Sequence, residues 1–493
     1  MKLTYMPRLL ILAAIAMTAS PEILAQSLHL PPHEKAVLKN GLTLLLMEKH
    51  GVPMVSFSAI VKTGSAADPA GKEGIASVTA ALLRKGTKNR TPQQFAADLD
   101  FIGGSFNAGA SADFTSISAE FLTKDLARGL DLFADAVLHP TFPQNEVEKL
   151  LAQDIDAVKA AKDQAQAVLR IYYDAYLLSG HLYGRPRNGD EISLKNIQRD
   201  AVAKFYETYY APGNTILAVA GDFNAVEMRK KLEDVLGAWP AQKVPAVSIP
   251  VAAPVKGKRL LLVDKPDATQ TYFAIGNLGT AVNDPDRVAV RVVNTILGGR
   301  FTSMLNQALR VDSGLSYGAG SGFDSRKTPG PFGIFSFTKN ASTTQALDLA
   351  LQVLQKLHKE GVTLEQLAST KSYIKGQFPP TIETSGQLAQ RIATDEFYGF
   401  DDSEVNQLGA RIDAVTLEMA RQVIQKHFPL DNLVFVLIGK ASAIGPAVQK
   451  YAEKQDARPI SEPGFWPPPA AAKSAANLPA PINSRRAIPR DRR

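Results

Sequence analysis

The chain repeats itself at a spacing close to half its length, and this repeat constrains the fold more than any other feature. YYAPGNTILAVAGDF is similar to HFPLDNLVFVLIGKA, and Gly221 and Gly439, which end their apolar runs, lie 218 residues apart. LLLMEK from Leu44 matches LLLVDK from Leu260, and FLTK matches FSFTK, at spacings of 216 and 215 residues. A repeat unit of about 217 residues predicts two tandem homologous domains rather than a solenoid.

Each half is predicted to mix strands and helices. NGLTLLLMEKHGVPMVSFSAIVKTG indicates two strands around a turn, GIASVTAALLRKG a helix, and GSFNAGASADFTSISAEFL two paired strands. EVEKLLAQDIDAVKAAKDQAQAVLRIYYDAYLL has the pattern of one long helix. Because strands and helices group instead of alternating, we expect the α+β class, with two tandem α/β sandwich domains. Each would have an antiparallel-rich sheet with helices packed on it, and the two would form a clamshell.

The predicted boundaries follow from the repeat and from composition. We expect a signal peptide over residues 1–25, an N-terminal domain over 36–238 and a C-terminal domain over 258–450. Residues 239–257 are proline-rich, which favours an extended linker. Residues 458–493 are rich in Pro and Ala and are predicted to be a disordered basic tail.

The N-terminus has the pattern of an export signal. Lys2 and Arg8 precede an apolar run over residues 9–17, which is about half the length that a membrane-spanning helix needs. Small residues follow, and cleavage after Ala25 fits this pattern. The prediction is a periplasmic or secreted protein with no integral membrane segment after cleavage. A retained membrane anchor or a core helix is the alternative.

The net charge of +7 does not indicate a nucleic-acid partner. The C-terminal PINSRRAIPRDRR and the signal segment account for six of these charges, so the body of the chain is nearly neutral. No interleaving of aromatic and basic residues is present, and nucleic-acid binding is therefore not expected. The chain has no cysteine, which excludes disulfides and thiol chemistry.

Several segments together resemble a known family. They are NGLTLLLMEKHGVP, GIASVTAALLRKGT, IGGSFNAGASADFTSISAEFL, HLYGRPRNGDEISL and YYAPGNTILAVAGDF in the first half, and NTILGGRFTSMLNQALRVDSGLSYGAGS in the second. This set resembles the insulinase/pitrilysin family of zinc peptidases. The branch it is most similar to is the two-domain, mitochondrial-processing-peptidase-like bacterial branch.

The resemblance implies a zinc site that this chain has lost. Active members carry H-x-x-E-H in the first helix and a glutamate in a later helix, and these hold zinc and activate its water. The flanking Gly-x-Ala and Lys-Gly-Thr place the motif on SVTAA, with Ser77 and Ala81 at the histidine positions and Ala80 at the glutamate position. Alignment through Asp163 puts Ala157 at the distal ligand position. We therefore predict no catalytic residue, no metal ligand and no cofactor in this chain.

A zinc site elsewhere would need other histidines. His29 and His33 are separated by two prolines, which prevent the helix that could aim both at one ion. None of the other five histidines has a second histidine at helical ligand spacing along the sequence. They are His50, His139, His181, His358 and His427. The sequence therefore predicts no alternative metal site.

The resemblance also implies residues that bind a peptide. ALRVDSGLSY keeps Arg310 and Tyr317, which in active members bind the substrate backbone near the scissile bond. A guanidinium and a phenol can hydrogen-bond a peptide carbonyl. Asn107 lies in a predicted edge strand, residues 105–111, to which an extended peptide could add. The alternatives are that Arg310 and Tyr317 only tie their loop to the fold, and that the strand is a plain sheet edge.

These observations predict a non-catalytic, substrate-binding subunit of a two-chain metallopeptidase. A homologous partner would supply the zinc, and an extended peptide would be the substrate. One alternative is a catalytically silent scaffold or peptide-binding protein, and a less favoured one is a zinc metalloendopeptidase in its own right. The sequence leaves open whether the chain takes part in an enzyme, but alone it is predicted to be inactive.

Overall fold

The computed structural model describes residues 29–466, which form twelve strands and sixteen α-helices. The strands are β1 Glu34–Val37, β2 Thr43–Glu48, β3 Met54–Val61, β4 Ser105–Ala110, β5 Thr115–Leu122, β6 Thr215–Gly221, β7 Arg259–Asp264, β8 Gln270–Leu278, β9 Ala319–Phe323, β10 Pro331–Lys339, β11 Val434–Gly439 and β12 Lys454–Pro459. The helices are α1 Ile75–Leu82, α2 Pro92–Phe101, α3 Leu126–Leu138, α4 Gln144–Asp163, α5 Ala165–Leu177, α6 Arg199–Tyr209, α7 Ala225–Leu236, α8 Arg287–Leu297, α9 Met304–Asn306, α10 Thr343–Glu360, α11 Leu364–Gln377, α12 Ser385–Tyr398, α13 Ser403–Asn406, α14 Leu408–Asp413, α15 Leu417–His427 and α16 Ala441–Val448.

The strands form one six-stranded sheet in each half. The order is β1-β2-β6-β3-β5-β4 in the first sheet and β12-β7-β11-β8-β10-β9 in the second. The repeat extends to the strand register. Leu44 of β2 lies opposite Leu217 of β6 in the first sheet, and the equivalent Leu260 of β7 lies opposite Phe435 of β11 in the second. The sheets differ at one edge, where β1 is antiparallel to β2 but β12 is parallel to β7. The predicted α+β class with two homologous domains is confirmed.

The core of the first half contains many aromatic residues. Their burial follows the helix and strand periods that the sequence shows. Alternate residues of β5 are buried along its whole length, which is the two-residue period of a strand with one covered face. The ring of Phe57 in β3 lies 5.8 Å from that of Phe121 in β5 and 5.3 Å from that of Phe133 in α3. This layer fixes the position of the helices on one face of the first sheet.

The long helix predicted after residue 143 is wrong, because the structure has two helices there. α4 ends at Asp163, Gln164 is extended with φ −110° and ψ 98°, and α5 begins at Ala165. Neither Gly nor Pro marks the break, and both segments have helical periodicity, so the pattern alone reads as continuous. The break lets α5 leave the first half and pack on the second sheet.

The two halves exchange one helix each. α5 packs on β8 and β11 of the second sheet, and α12 packs on β3 and β6 of the first sheet. In the first of these interfaces the fully buried Tyr173 donates a hydrogen bond of 2.6 Å to the carbonyl oxygen of Phe332. A Cβ atom at Gly276 would lie 2.4 Å from the Tyr173 hydroxyl oxygen. The absence of a side chain at Gly276 therefore makes room for this bond.

The second exchange interface is more polar than the first. The buried Ser58 hydroxyl lies 3.3 Å from Gln390 Oε1 of α12, and the buried Ser56 donates to Glu120 Oε1 at 3.0 Å. A Cβ atom at Gly386 of α12 would lie 2.4 Å from the same Glu120 oxygen. The helix from the second half thus packs on a mixed face, where these polar groups lie beside apolar residues such as Ile60 and Ile216, whereas α5 sits on apolar and aromatic residues.

Asp113, in the turn between β4 and β5, joins four parts of the chain. Its carboxylate accepts hydrogen bonds from the Tyr183 hydroxyl, from the Tyr398 hydroxyl at 3.1 Å and from the Lys327 backbone N–H at 2.9 Å. Tyr398 and Lys327 belong to the second half. Burial is the main reason that the pKa values of Tyr183 and Tyr398 lie above the usual value, so both hydroxyls remain donors.

Arg326 makes a second junction between the halves. Its guanidinium contacts Asp174 of α5 at 3.0 Å and Asp324 at 2.7 Å, and it donates to the Tyr183 carbonyl oxygen at 3.0 Å. The Asp174 oxygen Oδ1 is buried and has no hydrogen-bond partner. Burial raises the pKa of the Asp174 carboxyl to about 6, although Arg326 and Arg170 favour the charged form. The Arg326 contact does not offset the cost of burial.

The C-terminal boundary differs from the prediction. The predicted second domain ends at residue 450 and the predicted tail begins at residue 458. In the structure, β12 completes the second sheet and residues 460–466 pack against the first half. The tail prediction is wrong for residues 458–466, because the pattern of this short strand is dominated by charged and polar residues. Residues 1–28, with the proposed signal peptide, and 467–493 lie outside the described residues.

Between the halves, residues 240–256 contain no helix or strand. They stay close to the body of the protein, since Ala252 and Val255 are buried and the Pro250 carbonyl oxygen lies 2.8 Å from His181 Nε2. Within residues 29–466, no helix has the length and apolar character needed to cross a membrane.

We expect Tyr173→Phe to lower the free energy of unfolding by about 1–3 kcal/mol, because it leaves the buried Phe332 carbonyl oxygen without its partner. Chemical denaturation measures this loss. Tyr272→Phe is the matched control, since the Tyr272 hydroxyl makes a 3.2 Å bond to Gln270 in a half-buried place and should change stability by less than about 0.5 kcal/mol. Equal effects of the two changes would contradict this account of the α5 interface.

Asp174 should make stability fall as the pH rises from about 4 to about 7. In this range the unfolded chain ionises the carboxyl, whose usual pKa is 3.8, while the folded chain holds its proton up to about 6. At about 1.4 kcal/mol for each pKa unit, the wild type should lose about 3 kcal/mol more than Asp174→Asn over this range. Denaturation across pH measures this difference. Asp98→Asn is the contrasting variant, because hydrogen bonds from Arg90 and Arg128 lower the pKa of Asp98. Compared with that variant, the wild type should gain stability as the pH rises instead of losing it.

Candidate functional site

Helix α1, which carries the altered motif, is held at its N-terminus by a buried carboxylate. Asp68 accepts hydrogen bonds from the backbone N–H of Gly74 at 2.7 Å and of Ala76 at 3.1 Å. Burial raises the pKa of the Asp68 carboxyl well above its usual range, although these two bonds favour the charged form. A Cβ atom at Gly74, where φ is +98°, would lie 2.7 Å from the backbone nitrogen of Gly189. The helix therefore starts in close contact with the loop of residues 186–193.

The four positions of the lost zinc motif offer almost no ligand atoms. Ser77 is half-buried, and its hydroxyl lies 3.1 Å from both the Arg187 carbonyl oxygen and Asn188 Oδ1, to either of which it can donate. Ala80 is buried, Ala81 is half-buried and Ala157, on α4, is exposed. α1 and α4 do pack against each other, as the resemblance requires.

These residues do not fit a zinc ion. Zinc in proteins is bound by thiolate, imidazole or carboxylate groups, and a catalytic site needs three of them. Three of the four positions carry only a methyl group, and the one hydroxyl, of Ser77, is already engaged with the loop of residues 186–193. We therefore derive no chemical step through a metal at this place.

One cluster of potential ligands exists elsewhere in residues 29–466. Asp284, Asp286 and His427 place their ligand atoms within 4.8 Å of one another, at the start of α8 and the end of α15. Asp286 also accepts from Lys426 at 2.7 Å and lies 2.9 Å from His427 Nε2, and the bond from Lys426 is the main cause that lowers the pKa of Asp286. The lysine already supplies the cation, so this is an ion-pair network between two helix ends. Sequence spacing showed His427 as isolated because its acidic partners lie 141 residues away.

Arg310 and Tyr317 lie close together in the sequence, in one segment of the second half. Arg310 lies in a π-helix, Gln307–Asp312, and the backbone N–H of Ser316 bonds back to the Leu309 carbonyl oxygen at 2.9 Å. Both side chains are exposed, Tyr317 to 81 %. The Arg310 guanidinium lies 4.7 Å from the centre of the Phe301 ring. Within residues 29–466, neither side chain makes a hydrogen bond or an ion pair, so their donors are available to a ligand.

The structure does not bring these two residues into contact with the altered motif. In the described part of the chain, no hydrogen bond or ion pair joins Arg310 or Tyr317 to Ser77, Ala80 or Ala157. Their loop is instead held by the second half, where a Cβ atom at Gly298 would lie 2.2 Å from the Ser321 backbone nitrogen. Arg310 and Tyr317 are thus positioned by contacts within the second half, whereas α1 is positioned by contacts within the first.

β4 is one of the two edge strands of the first sheet, and α1 packs beside it. The Ser111 N–H bonds to the Phe114 carbonyl oxygen at 2.7 Å and closes the turn to β5. Because bonded and non-bonded pairs alternate in an antiparallel ladder, the backbone groups of Phe106, Ala108 and Ala110 point away from β5. Asn107 is exposed on this edge. The edge has the geometry that an added strand needs.

Comparisons with known proteins agree with this architecture. Residues 43–185 match the family model described as insulinase (peptidase family M16), and residues 196–374 match the one described as peptidase M16 inactive domain. The uncharacterized zinc protease YmxG of Bacillus subtilis is 25% identical over 397 residues, which is 80% of this chain and 96% of that protein. The uncharacterized zinc protease SCO5738 of Streptomyces coelicolor is 24% identical over 85% of this chain and 91% of its own length.

Solved structures give the same result. A peptidase M16 inactive domain from Pseudomonas fluorescens superposes with a TM-score of 0.78 and 26% identity, covering 83% of this chain and 98% of that one. A protease from Helicobacter pylori superposes with a TM-score of 0.75 over 83% of this chain and all of its own, and at 21% identity it shows the fold alone. The two matching family models, the shared sheets and these relatives establish that the chain belongs to the insulinase family, as a peptidase-like member.

Proposed function

We propose that this protein is the non-catalytic, substrate-binding subunit of an insulinase-like metallopeptidase and pairs with a zinc-bearing homologue. The observation that carries the proposal is a contrast within one chain. The positions where a zinc ion and its proton acceptor would be are Ser77, Ala80, Ala81 and Ala157, whereas the residues that would hold a peptide, Arg310 and Tyr317, are kept and exposed.

The loss of the metal site is complete rather than partial. A single missing ligand could be replaced from the surroundings, but here all four positions have changed together. The remaining hydroxyl of Ser77 has a structural role, since it is bonded to the loop of residues 186–193. Any cleavage that involves this chain therefore needs zinc from another chain.

Arg310 and Tyr317 are suited to hold a peptide carbonyl. The π-helix widens the turn that carries Arg310, and π-helical turns are frequent at functional sites. Phe301 supports the guanidinium through its ring face, which limits the conformations of a long side chain before it binds. Positioned next to a partner's zinc, these donors would stabilise the oxyanion that forms during cleavage.

The free edge of β4 supplies a second peptide-binding feature. An extended peptide can add to it through main-chain hydrogen bonds to Phe106, Ala108 and Ala110, with Asn107 at the same edge. Because such bonds are independent of side chains, this edge would accept many sequences. We infer that an extended peptide is the substrate and that this strand and the Arg310 loop bind different parts of it.

The location follows from the N-terminal sequence. Lys2, Arg8 and the short apolar run support export to the periplasm. These residues lie outside the described part of the chain, and the proposal of a periplasmic subunit rests on their sequence alone.

Two other functions are compatible with the family. A scaffold or peptide-binding protein would have the same fold and the same altered motif, but its Arg310 and Tyr317 would have no effect on any cleavage. A zinc metalloendopeptidase in its own right is what the names of the relatives would suggest. The three alanines and the engaged Ser77 argue against that function for this chain.

We expect Arg310→Gln or Tyr317→Phe to lower peptide cleavage by the reconstituted two-chain complex at least about tenfold, because each removes a donor to the substrate. Steady-state cleavage assays measure the loss. Arg128→Gln is the matched control, since Arg128 also lies 4.7 Å from an exposed phenylalanine, Phe101, but in the first half. Full activity of the Arg310 and Tyr317 variants in an assembled complex would favour the scaffold function instead.

Restoring the motif should restore metal binding. The quadruple variant Ser77→His, Ala80→Glu, Ala81→His and Ala157→Glu should bind about one zinc ion per chain, because α1 and α4 already pack together and three ligands would be present. Metal analysis after dialysis measures this. The variant that keeps Ala157 is the control and should bind zinc more weakly. A folded quadruple variant without zinc would show that the motif has been placed on the wrong residues.

A further inference from the structure

The segment that follows β12 crosses from the second half to the first. We call residues 460–466 the strap. It begins on the second sheet, where the Ile460 N–H donates to the Asp264 carbonyl oxygen at 2.9 Å. It ends on α5 of the first half, where the buried Phe465 ring lies 5.1 Å from that of Tyr172 and Trp466 Nε1 donates to Ser179 at 3.1 Å. The strap therefore bridges the two halves.

A buried ion pair of the first half depends on the strap. Lys162, at the end of α4, contacts Glu191 at 2.5 Å, and both side chains are more than nine-tenths buried. Lys162 also donates to the carbonyl oxygens of Glu462 at 2.8 Å and Gly464 at 3.2 Å, and the Gly464 N–H donates to Glu191 at 2.9 Å. A lysine ammonium has three donors, and two of the three acceptors come from the strap. Without the strap, this buried pair would lose three of its hydrogen bonds.

The strap turns at a glycine in the left-handed conformation. Gly464 has φ +79°, and a Cβ atom there would lie 3.3 Å from Asp190 Oδ2. Arg458 donates to the carbonyl oxygens of Glu462 at 3.2 Å and Pro463 at 3.1 Å, which closes the turn that precedes this glycine. The segment is thus built to bind the loop of residues 186–193.

That loop in turn packs on the altered motif. Glu191 is part of it, and at Gly189, where φ is +75°, a Cβ atom would lie 2.5 Å from the Glu73 carbonyl oxygen just before α1. The same loop provides Arg187 and Asn188 to the Ser77 hydroxyl. A continuous set of contacts therefore runs from the strap through Glu191 to the first position of the motif.

We propose that the strap acts as a latch. It links the second half to the loop of residues 186–193, which packs on the altered motif of α1. When it is docked, the strap completes the Lys162–Glu191 pair, fixes the loop of residues 186–193 on α1 and holds α5 against the second sheet. When it is released, the loop and α5 gain mobility while the strands of both sheets stay formed. This role concerns the chain itself and holds whether or not a zinc-bearing partner exists.

Hydrogen–deuterium exchange on the full-length chain tests the latch. Phe465→Ala removes the contacts with Tyr172 and Lys162, and we expect the amides of residues 186–193 and of α5 to exchange at least about tenfold faster. The amides of β3 and β6 should be unchanged. Phe378→Ala is the matched control, because this buried phenylalanine belongs to the second half and has no contact with the strap.

A milder variant keeps the test decisive if Phe465→Ala disturbs folding. Gly464→Ala keeps the Phe465 ring but strains the left-handed turn and places a Cβ atom 3.3 Å from Asp190 Oδ2, so it should produce the same local pattern at smaller amplitude. Unchanged exchange of residues 186–193 in both variants would overturn the proposal. A uniform acceleration across both sheets would also overturn it, because the strap would then be an ordinary part of the core.

Discussion

The reciprocal exchange of helices is the constraint on which the rest of the structure depends. Each sheet obtains one of its covering helices from the other half, α5 in one direction and α12 in the other. A sheet with an apolar face uncovered is not stable in water, so neither half has a complete core alone. The break at Gln164, the space at Gly276 and the junctions at Asp113 and Arg326 all serve this exchange.

The family fold is kept here although the four positions aligned with the zinc motif hold one serine and three alanines. The carboxylate of Asp68, the close approach of Gly74 and Gly189 and the packing of α1 on β4 all support a helix in which three of the four motif positions hold a methyl group. These contacts stabilise the domain itself, so they do not depend on a bound metal ion. Arg310 and Tyr317 are exposed, and within residues 29–466 their side chains make no hydrogen bond or ion pair. This contrast favours a role in binding.

The sequence predicted the repeat, the α+β class and most elements, because strand and helix periods are local properties. It also indicated the family and the changed motif, since these depend on short segments with distinctive flanks. It failed where residues far apart in the chain meet. The break between α4 and α5 at Gln164, the acidic partners of His427 and the ordered β12 depend on contacts between parts of the chain that are distant in sequence, and the periodicity around them carries no trace of those contacts.

The polar interface under α12 has a consequence for how the protein is made. During synthesis the first sheet is finished once β6 has emerged, yet the face with Ser56, Ser58 and Glu120 stays uncovered until α12 has been made, after the strands β7–β10 and the helices α8–α11 of the second half. Ser56, Ser58 and Glu120 make part of that face polar, beside the apolar Ile60 and Ile216, whereas a fully aromatic face would tend more to associate with other nascent chains. These polar groups thus limit the apolar area that the unfinished protein exposes before α12 covers it.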